Sequence, residues 1–229
     1  MNKITFFAIA VLVLIAQNTF ADEPGGFGVK GGVGFSTLSL EEDNANDMKN
    51  RMKIGGMVGF SYEAFLGDND KFALDVEALL ANKGVQQKST SSLLGQDITT
   101  ILKTNLYTVD VPVSFKFYPI ENLNIYVGPY YSFIAAAQFR TITKTNDDKK
   151  KEDGENWFKE ENKDSNGEYF MNRHDVGLNG GVEFVTDGGF GIGARFQKGF
   201  MDLTNDDYIL NDGKRVTNTG IQLYGVIRF

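Results

Sequence analysis

Cysteine is missing from all 229 residues, so neither a disulfide framework nor a thiolate metal site is open to this chain. Histidine occurs once, at His174, which leaves little material for a base-assisted nucleophile. Proline is scarce at 4 residues. Basic side chains number 23 against 30 acidic ones, a formal net charge of −7, which argues against nucleic acid as a partner, since it attracts basic surfaces. Long apolar runs are lacking too. The longest, Ile4 to Ile15, falls short of the ~18 residues that a helical membrane span needs.

Glycine (26), phenylalanine (19) and tyrosine (9) are plentiful instead. Disordered chains are poor in aromatics, and helical bundles avoid this much glycine, so an all-β fold is expected. The amino-terminal segment carries Lys3, the apolar run, then Thr19-Phe20-Ala21. That is the layout of a secretory signal peptide over residues 1–21, leaving one exported domain over 22–229.

The last stretch, Thr217 to Phe229, shows how that domain is organised. Ile221, Leu223, Gly225, Ile227 and Phe229 share one face of an extended strand, with Gln222, Tyr224, Val226 and Arg228 on the other. Seven earlier segments alternate in the same way. The first sets Phe27, Val29, Val33 and Phe35 against Lys30 and a series of glycines. The second sets Val58, Phe60 and Tyr62 against Met57, Ser61 and Glu63. The third sets Phe72, Leu74, Val76 and Leu80 against Asp75 and Glu77, and the fourth sets Val109 to Phe117 against Asp110, Ser114 and Lys116. The fifth sets Ile125, Val127, Tyr131, Phe133 and Phe139 against Tyr126, Tyr130, Ser132, Gln138 and Arg140. The sixth and seventh set Val176, Leu178, Val182, Phe184, Phe190, Ile192 and Phe196 against Asp175, Asn179, Glu183 and Arg195.

Connections alternate in length. Short turns fall at 67–70, 119–122 and 186–189, and long loops at about 39–52, 81–103, 141–171 and 199–216. An even number of strands with this alternation is the plan of an eight-stranded antiparallel up-and-down transmembrane β-barrel. Lipid explains it, because no backbone group can go unpaired in hydrocarbon and a sheet there must close on itself. Outward aromatics gather near the short-turn end of seven strands, at Phe27, Tyr62, Phe72, Phe117, Phe184, Phe190 and Phe229. A ring at one level suits a membrane–water interface. A soluble ligand-binding barrel would face its apolar side inward.

Several of these segments also carry a resemblance. Val29-Lys30-Gly31-Gly32-Val33-Gly34-Phe35-Ser36, Val109-Asp110-Val111-Pro112-Val113, Tyr126-Val127-Gly128-Pro129-Tyr130, Asp175-Val176-Gly177-Leu178 and Ala194-Arg195-Phe196 occur in order. Together they resemble the small outer-membrane beta-barrel family of Bacteroidota that includes the PorT proteins. The resemblance implies residence in the bacterial outer membrane and contact with its lipid. It also implies insertion by the outer-membrane assembly machinery, which recognises a terminal strand such as Ile221, Leu223, Ile227 and Phe229.

Candidate chemistry is thin. Gly26-Phe27-Gly28-Val29-Lys30-Gly31 has the glycine spacing of a dinucleotide motif, but it lies inside an alternating strand rather than opening a helix. Inward glycines there make room for large neighbours such as Tyr224 and Arg228. His174 adjoins Asp175, yet neighbours in a strand point apart, and a loop-edge histidine is expected. Asp164-Ser165-Asn166-Gly167-Glu168 lacks a full set of calcium ligands. No cofactor is expected.

Inward positions carry Lys30, Lys116, Arg140, Arg195 and Arg228, and the acids Glu63, Asp75, Glu77, Asp110, Asp175 and Glu183. An eight-stranded barrel is just wide enough to be filled by side chains, so these charges are expected to pair as a plug. Trp157-Phe158, in the highly charged loop 141–171, is a candidate contact for a protein partner. The expected function is therefore a non-enzymatic outer-membrane barrel acting through its extracellular loops in partner binding, envelope integrity or secretion support. A small pore, and a barrel enzyme acting on lipid or protein, remain the alternatives.

Overall fold

The computed structural model describes residues 25–40, 49–67, 70–93, 96–145, 148–159, 162–163, 169, 171–204 and 215–229. The segment 1–21, expected as a signal peptide, and the stretch Asp164 to Glu168 lie outside the described residues.

Nine strands are formed among them: β1 (Gly25–Leu40), β2 (Lys49–Phe65), β3 (Phe72–Leu93), β4 (Gln96–Ile120), β5 (Leu123–Thr145), β6 (Asp148–Asn156), β7 (His174–Val185), β8 (Phe190–Gly199) and β9 (Val216–Arg228). Eight close into a ring in the order β1-β2-β3-β4-β5-β7-β8-β9, each antiparallel to its neighbours. Sequential neighbours therefore pair, and β9 seals the ring against β1 from Gly28↔Arg228 to Leu40↔Val216. Closure removes both sheet edges, which is what lets strands stand in hydrocarbon.

The two faces separate as the alternation dictates. Phe60, Leu80, Phe115, Val127, Leu178, Ile192 and Leu223 are exposed on the outside, while Lys30, Asp75, Lys116, Glu183 and Arg195 are buried inside. Such an inverted distribution is stable only where the outer solvent is apolar. At the short-turn end, Phe27 lies 5.0 Å from Tyr62 and Phe72 lies 5.3 Å from Phe117, ring centroid to centroid. The end of the chain is fastened here, Phe229 N donating to Phe27 O at 2.9 Å, with Ile221, Leu223, Ile227 and Phe229 on the outward face.

Two expected loops are largely strand. The segment 81–103 is a hairpin, with β3 continuing to Leu93 and β4 starting at Gln96 in unbroken register from Leu79↔Asp110 to Leu93↔Gln96. Above the bilayer both faces of a strand meet water, so its residues need not alternate in polarity. The segment 141–171 contributes the upper end of β5 and the whole of β6, which among the described residues pairs with β5 alone. The 39–52 connection narrows to 41–48. A four-strand sheet of β2, β3, β4 and β5, widened by β6, thus stands beyond the membrane on one side of the ring.

Candidate functional site

The lumen is filled from the short-turn end upward by ion pairs. Lys30 Nζ lies 3.0 Å from Asp75 Oδ2, 2.8 Å from Glu77 Oε1 and 3.1 Å from Glu183 Oε2. Lys116 Nζ lies 2.6 Å from Glu63 Oε2, 2.8 Å from Asp75 Oδ2 and 3.0 Å from Glu183 Oε1. Arg195 pairs with Glu77, and Arg228 with Glu183 and, at 2.5 Å, with Glu63 Oε1. Four cations thus face four carboxylates, so the lower cluster is neutral as a unit. Tyrosines tie it together: Tyr118 OH donates to Glu63 Oε1 at 2.6 Å and Tyr224 OH to Glu183 Oε2 at 3.0 Å. Burying a charge costs several kcal/mol unless it is paired and hydrogen-bonded, and here it is both.

Glycine makes the packing possible. A Cβ on Gly193 would overlap the ring of Tyr224, and one on Gly181 would stand 2.6 Å from the Tyr126 hydroxyl. The two hydroxyls meet at 2.9 Å.

Higher up is a second cluster, which includes two lysines the sequence reading did not place inside. Lys83 Nζ lies 2.6 Å from Asp110 Oδ2, and Asp110 Oδ1 accepts from Ser132 Oγ at 2.6 Å. Lys53 Nζ donates to Asn82 Oδ1 and, at 2.9 Å, to Lys83 O. Asp175 Oδ2 accepts from Tyr130 OH at 2.9 Å. Continuing the alternation of the third strand past Leu79 and Ala81 would have turned Lys83 inward. Between the clusters is a chamber of about 10 Å³, lined by Ser36, Met57, Gln197, Asn218 and Gln222 among others, with room for roughly one water.

An apolar lid packs on the wall at the long-loop end. Leu106, Ile134 and Ala137 on the wall pack against Phe158, Met171 and Leu203, with Trp157, Phe139, Tyr169 and Leu38 partly buried around them. Phe158 is therefore packed into the barrel mouth rather than standing free in the loop, and Trp157 is half-buried beside it. Phe158 is 7% exposed, and Trp157 stacks on Phe139 with centroids 4.0 Å apart. The same cost of exposing large aromatics that suggested a contact drives them onto the nearest apolar surface, the barrel mouth. Arg173 fastens the lid, its guanidinium 4.3 Å from the Phe158 centroid and 4.6 Å from that of Tyr169.

Arg140 is outside the plug. Tyr107 pairs with Ala136 and Thr108 with Ile134, which makes Ala135 an unmatched, bulged residue. One extra residue exchanges the faces of everything beyond it. Phe139 accordingly turns to the lid, while Gln138 and Arg140 are exposed. His174 is on the outer wall, its Nδ1 2.6 Å from Tyr131 OH and its ring 5.6 Å from that of Phe133. Asp175 points the opposite way. Among the described residues no cluster of three or more histidine or acidic side chains is arranged to hold a metal.

A family model described as outer membrane protein beta-barrel domain matches residues 16–205. No curated protein sequence matches the chain. Among solved structures, it is similar to Neisserial surface protein A at 12% identity and a TM-score of 0.45, over 90% of this chain and 100% of that one. It is also similar to the attachment invasion locus protein Ail of Yersinia pestis, at 14% identity and a TM-score of 0.41, over 90% and 100%. For OprG of Pseudomonas aeruginosa the values are 14% and 0.33, over 90% and 97%.

Proposed function

The chain belongs to the outer membrane protein beta-barrel domain family, and from that premise we propose that it is a closed, non-enzymatic barrel that works through its extracellular surface. Its roles on this reading are partner binding, envelope integrity or secretion support. The observation that carries this reading is the filled lumen. A solute path would have to break the pair of Arg195 with Glu77 and displace the lid of Phe158, Met171 and Leu203. The runner-up is a small pore, and it requires both.

An enzymatic role finds little support in the side chains. The one imidazole is bonded to Tyr131 on the outer wall, away from Asp175. The resemblance to the Bacteroidota barrels that include PorT adds secretion support to the proposed roles. The working surface is the sheet that stands beyond the membrane, where β6 leaves one strand edge unpaired among the described residues. An extended segment of a partner can add to such an edge.

The test is photo-crosslinking in intact cells from a reactive residue placed at Lys151 on β6, with Glu121 in the short β4–β5 turn as control. A discrete protein adduct from position 151 that is lost when 141–156 is replaced by a tight turn supports the reading. Adducts from position 121 alone would move the interaction to the other side of the membrane.

A further inference from the structure

The sheet that stands beyond the membrane parts from the rest of the ring at two forks. On one side β1 and β2 stay paired up to Ser36↔Lys53. Past that point, among the described residues, β1 pairs with β9 alone and β2 with β3 alone. On the other side β5 and β7 stay paired up to Phe133↔His174, Ile134 N adds one bond to Arg173 O at 2.8 Å, and β5 then turns to β6. Two bodies therefore face each other across the mouth. One is the sheet of β2 to β6, and the other is a rim made of the upper ends of β1 and β9 and the segments that flank β7 and β8.

The ladders that cross the sheet are disturbed at the height of these forks. Between Met52↔Val85 and Met57↔Ala81, four residues of β2 lie against three of β3, so β2 carries one extra residue. Asn82, in that gap, pairs with Tyr107 on β4, and Tyr107 pairs with Ala136, next to the bulged Ala135 of β5. A single row thus runs from one fork to the other, with a bulge on each outer strand. The inner pair β3–β4 passes through in register, and β3 holds Gly84 there at a φ of +139°, where a Cβ would collide with Thr104 O. Bulges bend the strand that carries them, and two on one row give the sheet a line to bend along.

Side chains complete the backbone bonding in the gap. Ser36 reaches past β2 from β1, its Oγ accepting from Gly84 N at 2.8 Å and donating to Gly84 O at 3.1 Å. Lys53 Nζ donates to Lys83 O at 2.9 Å and to Asn82 Oδ1. Water can take over bonds of this kind without a strand being unzipped.

What fastens the two bodies together is the apolar lid. Phe158 follows β6 and goes with the sheet. Met171, Arg173 and Leu203 belong to the rim, where Asn172 N donates to Leu203 O at 3.0 Å and Leu203 N to Val216 O at 2.9 Å. Phe158 packs with Met171 and Leu203. Arg173 holds it twice, by the guanidinium over its ring and by Nη2 donating to Phe158 O at 3.0 Å.

We propose that the β2–β6 sheet is a flap, hinged on the row through 53–56, 82–84, Tyr107 and Ala135 and latched over the mouth by Arg173 and Phe158. Release of the latch lets the sheet swing away from the rim and uncovers the apolar wall of Leu106, Ile134 and Ala137 toward the outside. The cluster of Lys30, Lys116 and Arg195 is below the hinge and stays closed. This movement goes beyond the partner-binding reading and stands whether or not the edge of β6 takes a partner.

The test is distance measurement by pulsed electron spin resonance on the full chain in nanodiscs. Nitroxide pairs are attached to introduced cysteines, since the native chain has none. Lys88→Cys on β3 with Phe200→Cys after β8 reports across the mouth. Lys88 is four residues beyond Gly84, a lever of about 13 Å that turns a swing into a change of several ångströms. Arg51→Cys with Thr143→Cys reports within the sheet, and Lys71→Cys with Gly188→Cys across the short-turn end. The latched protein should give one narrow distance across the mouth. Arg173→Ala and, separately, Phe158→Ala should each add a second population there, longer by several ångströms, while the other two pairs keep their distributions. An unchanged distribution across the mouth in both variants overturns the proposal. So does equal broadening within the sheet or across the short-turn end, which would mean fraying or a loosened barrel in place of a swing about the hinge.

Discussion

Arg195 on β8 and Glu77 on β3 form an ion pair across the full width of the ring, since the two strands are four steps apart in a closed circle of eight. Both side chains are wholly buried. The barrel is therefore bridged at its centre, and the stability of the plug depends on such pairs being complete.

Removing one partner should show this. Arg195→Ala leaves Glu77 with Lys30 alone and should cost about 3–5 kcal/mol, read as a lower midpoint of urea unfolding in detergent micelles. Arg228→Ala should cost less, because that side chain is 18% exposed at the short-turn end and water can replace it. Equal losses for the two arginines would contradict the burial order.

The outward face carries a depth gradient. Val111→Arg puts a charge near mid-bilayer and should cost about 2–4 kcal/mol, whereas Ile120→Arg at the short-turn end should cost about 0–1 kcal/mol. Folding yield into vesicles measures both. Similar penalties at the two positions would mean that β4 does not cross the bilayer as described.

The lid should come loose without the barrel. Phe158→Ala removes the aromatic buried between the wall and Met171, and Arg173→Ala removes the cation stacked on Phe158 and Tyr169. Either change should speed amide exchange over 157–159 and 171–173 by local opening, with exchange in β1 and β9 unchanged. A uniform rise through the strands would make the lid part of the barrel's own cooperative unit.

The bulge at Ala135 can be read chemically, because the absence of native cysteine gives single-cysteine labelling no background. Cysteines at positions 138 and 140 should react with a membrane-impermeant maleimide and one at 139 should not, since Phe139 faces the lid. Deleting Ala135 should reverse that order.

Much of this molecule is legible in its sequence wherever lipid acts on it. Alternation turned Val109 and Phe117 outward and Asp110 and Lys116 inward, because a strand between hydrocarbon and a polar lumen has no other stable arrangement. Past the bilayer edge that constraint ends, so the two-sided polar segments Lys83–Leu93 and Gln96–Lys103 looked like loops although they form a hairpin. Arg140 was misplaced by a single bulged residue whose only trace is a run of three alanines, Ala135-Ala136-Ala137. The destination of Trp157 and Phe158 was hidden for a different reason. Their partners Leu106, Ile134, Met171 and Leu203 come from distant parts of the chain, and no local pattern joins them.

The central claim is that the lumen is closed, and single-channel recording in a planar bilayer tests it most directly. The bridged lower cluster and the apolar lid predict a flat current at moderate voltage from the unmodified protein. Reproducible, ion-selective conductance steps from that protein would contradict the account and make the pore its function.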